Sequence, residues 1–366
     1  MQIIIAFFVF CIVLFIYLHI QFHLKTSNDL EVFEIDQASK DRLEEVVDYR
    51  QPVIFDFDNE RILKTTNKDY ILNNYKAFEV KIRNAKDTDY TSEIYMPLPM
   101  HATVKLFDED KNSLYFSEHN EDFLQETGII KNLQYNDEFI RPYMLSNCNY
   151  DVMMGSENTC TPLKYELNYR NYFLVTQGSV QIKLAPPIST KYLYMENDYE
   201  NFEFRSPVNP WSVQPQYSAD FDKIKCLDIT LTVGKIIHIP AYWWYSIQFG
   251  KNSSISCFRY RTYMNNLAIS PYIALYALQL QNVKRNITKK YDSSSNPINK
   301  DEENGNNEEN GDNEENGNTN KNINTNKNIN NKNSNNEEND SKEKYNKSSE
   351  NSKEINEDTG RQSSTL

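Results

Sequence analysis

In the stretch TPLKYELNYRNYF, Thr161 to Phe173, a lysine and a glutamate stand two positions apart as Lys164 and Glu166. Alternation along a strand puts such a pair on one face. Spaced carboxylates and imidazoles on one strand face are the usual makings of a metal site. Glu166 suits that use, but a protonated lysine has no lone pair and repels a divalent cation. Tyr245, in WWYSI, stands 81 positions after Lys164. A phenol ligates poorly unless it is ionised.

Other residues of chemical interest are few. His119-Asn120-Glu121 is a second His-x-Glu, and His238 is a lone histidine in an apolar run. The first lies in LYFSEHNEDFLQETG, which reads as a strand end running into a helix; the second reads as a strand side chain. Cys11, Cys148, Cys160, Cys226 and Cys257 show no C-x-x-C spacing and read as reduced, buried thiols. In an oxidising lumen the last four would allow two disulfides. Cys-His nucleophilic chemistry has no positional support.

The elements that must carry these residues are mostly short strands. FLVTQGSVQIKL reads as a hairpin about Gln177-Gly178, with Val180, Ile182 and Leu184 on one face and Gln181 and Lys183 on the other. CLDITLTVGKIIHIP reads as a second, turning at Gly234-Lys235, and WWYSIQFGKNSSISCFRYRTY as a third, turning through Gly250 to Ser253. Many short strands with frequent turns predict a mainly β jelly roll with flanking helices. Upstream, EVFEIDQASKDRLEEVVDYRQPVIFDF reads as strand, helix, strand, with Ser39 capping a helix whose Leu43, Val46 and Val47 share a face. SPYIALYALQLQNVKR is a helix that docks on the barrel, with Ser270 as cap and Pro271 at its first position.

GSENTCTPLKYELNYRNYFLVTQGSVQIKLAPP, NPWSVQPQYSADF and LTVGKIIHIPAYWWYSIQF together resemble the JmjC, or cupin-like, domain of the 2-oxoglutarate- and Fe(II)-dependent oxygenases. The look is nearest to the asparaginyl-hydroxylase branch, and it covers residues 31–285. The resemblance implies a double-stranded β-helix. It further implies an Fe(II) triad of His-x-Asp/Glu on one strand and a distal His after paired aromatics. At those positions this chain has Lys164, Glu166 and Tyr245. Val180 takes the place of the basic residue that anchors 2-oxoglutarate, while Thr161 and Asn171 match supporting polar positions. The expected site is therefore a degenerate one: no metal, no cofactor and no catalytic residue. Thr161, Asn171, Val180, Trp243 and Trp244 are expected to line a ligand cavity. An internal ion pair between Lys164 and Glu166, with Tyr245 donating to the carboxylate, would stand in for the metal charge. The competing readings are an Fe(II)- and 2-oxoglutarate-dependent protein hydroxylase rebuilt on Glu166 with His238 or His119, and a structural membrane protein of a viral particle.

Composition bounds the rest. The 366 residues carry a net charge of −13, with 25 Tyr and 19 Phe but 9 Gly. No basic field exists to draw in a nucleic-acid backbone, so nucleic acid is excluded as a partner. Ile3 to Leu18 is an unbroken apolar run extending to Phe22, close to the roughly 20 residues that cross a bilayer core. Neither a basic start nor a small-residue cleavage site accompanies it, so 1–22 reads as a single-pass membrane anchor rather than a signal peptide. Lys25 and Lys40 follow the span and none precedes it, which predicts a cytoplasmic main domain. Asn252 (NSS) and Asn286 (NIT) would be glycosylated only in a lumen. A protein partner or a homodimer is the remaining expectation. From residue 286 to 366 the chain is an Asn/Glu-rich tract with a six-residue repeat, EENGNNEENGDNEENGN, and no run that buries a core; it reads as a disordered tail.

Overall fold

Ser39 caps a helix as its position predicts: its Oγ accepts from the Arg42 N–H at 3.2 Å, and Leu43, Val46 and Val47 turn one face inward. The computed structural model describes residues 1–36, 39–86, 95–199 and 201–282. The tail expected over 286–366, and Asn286 within it, lie outside the described residues.

The order of elements begins with α1 (Gln2–Leu24), β1 (Phe33–Ile35), α2 (Lys40–Val47) and β2 (Val53–Asp56). Next come α3 (Glu60–Thr65), α4 (Lys68–Tyr75), β3 (Glu79–Asn84) and β4 (Met96–Pro99). They are followed by α5 (Met100–Glu109), β5 (Tyr115–Ser117), α6 (Glu121–Glu126) and α7 (Ile129–Asn136). The barrel strands start with β6 (Leu145–Gly155), β7 (Lys164–Tyr165), β8 (Arg170–Gln177) and β9 (Ser179–Ala185). After them come β10 (Glu196–Asp198), β11 (Glu203–Arg205), α8 (Ser218–Phe221) and β12 (Leu227–Thr232). The last elements are β13 (Lys235–Ile239), β14 (Trp244–Phe249), β15 (Ser254–Thr262), α9 (Tyr263–Ala268) and α10 (Ser270–Asn282).

Two sheets result. One has nine strands in the order β1-β2-β13-β8-β15-β6-β5-β3-β4, the other six in the order β10-β11-β7-β14-β9-β12. This arrangement corrects the expected hairpins. β8 and β9 flank Gly178, but β8 pairs with β13 and β15 while β9 pairs with β12 and β14. β12 and β13 likewise part company at their turn, as do β14 and β15. Each turn carries the chain from one sheet to the other. The reason is burial: crossing lets both flanking strands point their apolar faces into a shared interior, which an isolated hairpin cannot do. Gly178 makes the first crossing possible. Its φ is +69°, and a Cβ there would lie 2.9 Å from the Lys251 carbonyl oxygen.

Period-two alternation then sorts the side chains. On β15, Ile255 and Cys257 face the space between the sheets with Phe173, Val175, Val180, Ile182, Leu184 and Ile247. Phe258 and Tyr260 face the other way, into a core shared with Tyr150, Tyr172 and the apolar faces of α2 to α7. Each fully buried aliphatic side chain contributes about 1.5–3 kcal/mol, an upper figure because the unfolded chain is itself partly collapsed. α1 is the one described helix long and apolar enough to span a membrane. Its last turn rests on the domain, where His23 lies against Tyr169 and the Arg50 guanidinium lies over Phe22. All five cysteines are free.

Candidate functional site

β7 is only two residues long, yet it fixes the centre of the site. Lys164 is cross-strand from Tyr245 of β14 on one side and from Arg205 of β11 on the other. The barrel therefore brings Lys164, Glu166 and Tyr245 together. The charge partners differ from those expected. Lys164 Nζ lies 2.8 Å from Glu118 Oε2 and 3.3 Å from Glu203 Oε1, not in a pair with Glu166. Arg83 closes the group, its NH1 lying 3.0 Å from Glu118 and 3.1 Å from Glu203. Glu118 is completely buried and also accepts from the Tyr95 hydroxyl at 3.0 Å. Glu118 thus bridges two cations, and Glu203 meets the same two and Arg205 NH1 at 3.2 Å, which is how charge is tolerated away from water.

Glu166 is saturated by a second set. Arg259 Nε donates to Oε1 and Oε2 at 3.0 and 3.1 Å, the Tyr245 hydroxyl donates to Oε1 at 2.5 Å, and Asn168 Nδ2 donates to Oε2 at 2.7 Å. Arg259 in turn sits 3.5 Å from Asp151, whose oxygens accept the His119 and Asn120 N–H groups. The Tyr245–carboxylate hydrogen bond is where the sequence placed it.

The electrostatics follow from this geometry. Burial alone would raise the Glu118 carboxyl, but Lys164, His119 and Arg83 hold it well below the usual range. Glu203 is lowered in the same way, burial being overcome by Lys164 and Arg83. For Glu166, burial is outweighed first by Arg259 and then by Lys164. Burial opposes the charge on Lys164, yet Glu118 and Glu203 raise it above its ordinary value. Tyr245 is pushed well up by burial and by Glu166, so it stays a neutral donor.

The remaining expected cavity residues turn elsewhere. Val180 is packed in the apolar interior opposite Leu231 and Phe249. Thr161 Oγ1 accepts the Ile247 N–H at 2.9 Å, and Asn171 Nδ2 donates to the Ile239 carbonyl at 3.2 Å. Trp243 and Trp244 are fully buried, their indole N–H groups donating to the Arg50 carbonyl and to Thr190 Oγ1. These five residues hold the barrel together, and none lines the cavity at its mouth. That cavity, about 570 Å³, is lined instead by Lys164, Glu166, Glu203, Arg259 and Arg261 with asparagines, Phe202 and Tyr276 of α10.

Both histidines of the rebuilt-triad reading are accounted for. His238 is completely buried on the outer face of β13, its ring 5.1 Å from that of Tyr172, away from Glu166. His119 stands at the cavity rim with its ring against Tyr95. A ferrous ion does not fit the donors present. The first position carries an ammonium, the distal one a phenol already bonded to Glu166, and Glu166 has no oxygen left over. Among the described residues no three His, Cys, Asp or Glu side chains are grouped to hold a metal.

Glu118, Glu203, Arg83, Asp151, Arg259 and Arg261 went unnoticed in the sequence. Only the last two left a signal. In CFRYRT, arginines alternate with Phe258 and Tyr260 at strand period, so one face of that strand had to meet polar company. None of the curated proteins matches the chain. Residues 24–265 match the cupin-like domain, and the two crossed sheets around Lys164, Glu166 and Tyr245 are that domain's architecture; the chain belongs to the JmjC-like cupin family.

Proposed function

We propose that this protein is a membrane-anchored cupin-like binding or scaffold module without metal-dependent catalysis. The observation that carries the reading is the Lys164 ammonium, clamped between Glu118 and Glu203 at the position where a ligand imidazole would stand. Charge that a metal would supply is supplied by the chain. Val180 gives a cosubstrate carboxylate nothing to bind, and Glu166 is engaged by Arg259 and Tyr245. α1 serves as the single-pass anchor, with the barrel on the cytoplasmic side and a protein partner or a second copy as its companion. Elemental analysis of the purified full chain, with a 2-oxoglutarate titration, tests the reading. Substoichiometric iron and no cosubstrate-dependent succinate are expected; a full equivalent of iron, or succinate formation, overturns it.

A further inference from the structure

Among the described residues, the cavity at the barrel mouth has one lining cation without a carboxylate at ion-pair distance. Lys164 lies between Glu118 and Glu203, and Arg259 between Glu166 and Asp151. Arg261, two residues further along the same face of β15, donates its Nε to Asn168 Oδ1 at 2.6 Å. Its guanidinium lies over the Phe202 ring, 5.0 Å from the centroid. Among the described residues no carboxylate comes within ion-pair distance of it, and its two terminal nitrogens remain available toward the cavity. Burial pulls its pKa down, with Glu166 opposing. A half-dehydrated cation without a partner is unfavourable until an anion joins it.

The surroundings define which anion. Asn147 is the cross-strand partner of Arg261 on β6, and its amide makes no hydrogen bond among the described residues. Asn201 and Asn266 also line the wall, each giving one amide N–H to Asp198 or Ser146 and keeping its second, and Phe202 supplies an apolar face. Glu166 and Glu203 also line the space and repel a second negative charge. A planar guanidinium whose two terminal nitrogens form one free N–H edge matches a carboxylate bidentately.

We propose that this cavity binds a singly charged carboxylate, its oxygens on the Arg261 guanidinium and its polar remainder among the asparagine amides. The inference rests on the binding-module reading above and names its ligand class. A free small acid and the C-terminus of a peptide offer the same group, so both serve as probes.

The test uses the full chain in detergent with EDTA, at constant ionic strength. Thermal midpoints are followed against N-acetylglycine, its neutral amide, trialanine, trialanine amide and inorganic phosphate. A saturable rise is expected with the free acids, none with the amides and a weaker one with phosphate; a larger response to trialanine than to N-acetylglycine assigns the site to peptide ends. Arg261→Gln is expected to weaken the acid response about tenfold or more, while its midpoint without probe equals or exceeds that of the parent. Asn147→Ala is expected to weaken the response with an unchanged probe-free midpoint. The proposal is overturned by equal responses to acid and amide, by no response at all, or by an undiminished response in Arg261→Gln. A fall in the probe-free midpoint of Arg261→Gln overturns it too, since the guanidinium would then be structural. Iron content is read on the same preparation before EDTA is added, so a failed metal-free reading is told apart from a failed carboxylate site.

Discussion

Lys164 does at the residue scale what two charges of opposite sign demand on either side of it. Removing its ammonium leaves the completely buried Glu118 with Arg83 as its one cation, a guanidinium it must share with Glu203. Lys164→Met is therefore expected to cost about 3–5 kcal/mol, the range for breaking one partner out of a buried pair. Urea denaturation of the detergent-solubilised chain measures it, and Glu118→Gln in the same chain should restore part of the loss. The acid side of the stability curve follows from the same residues. Glu118, Glu203 and Glu166 are all held below their ordinary value of 4.5, so the unfolded chain takes up protons first as pH falls. Their contribution is complete above 4.5 and is lost as pH drops below it. His238 adds an earlier step. Burial, with Arg170 and Arg50, holds its pKa well below 6.5, so stability begins to fall once pH goes under 6.5. His238→Asn should shrink that first step and leave the second, as read from denaturation midpoints between about pH 7.5 and about pH 3.5.

At the scale of the elements, the turns decide the architecture. Gly178 takes the chain from β8 in one sheet to β9 in the other with a left-handed backbone, and a Cβ added there would lie 2.9 and 3.0 Å from the carbonyl oxygens of Lys251 and Asn252. Gly178→Ala meets both the conformational and the steric penalty and should cost about 1–3 kcal/mol. Gly128 has nearly the same φ, +73°, but nothing within 4 Å of an added Cβ. Gly128→Ala should therefore be the milder change, and the difference between the two thermal midpoints isolates the contact. The strands on either side were legible because Val180, Ile182 and Leu184 alternate with Gln181 and Lys183. Their partners were not: a face that must be buried says nothing about which strand covers it.

The whole molecule joins an apolar helix to a barrel whose interior is apolar at one end and charged at the other. α1 packs against α9, and its last turn meets Tyr169 and Arg50, so the apolar helix and the barrel meet directly. Asn252 is exposed at a turn, so the proposed topology, with the barrel on the cytoplasmic side, expects it to carry no glycan. Glycosidase treatment of the chain made with microsomes should leave its mobility unchanged, while alkaline carbonate should fail to extract it. A glycosidase-sensitive band would place the domain in the lumen and reverse the topology.

What the sequence determined by itself was local: the apolar span, the Ser39 cap, the alternating strands, and the substitution of Lys164 and Tyr245 in otherwise preserved surroundings. The family resemblance rested on those local strings and their order. Tertiary structure alone decided what Lys164 faces. Glu118, 46 positions before it, follows the end of β5, and Glu203, 39 positions after it, opens β11 in the other sheet. Charge compensation acts through space over a few ångströms, and sequence periodicity records which side of a strand is buried without recording what lies across from it.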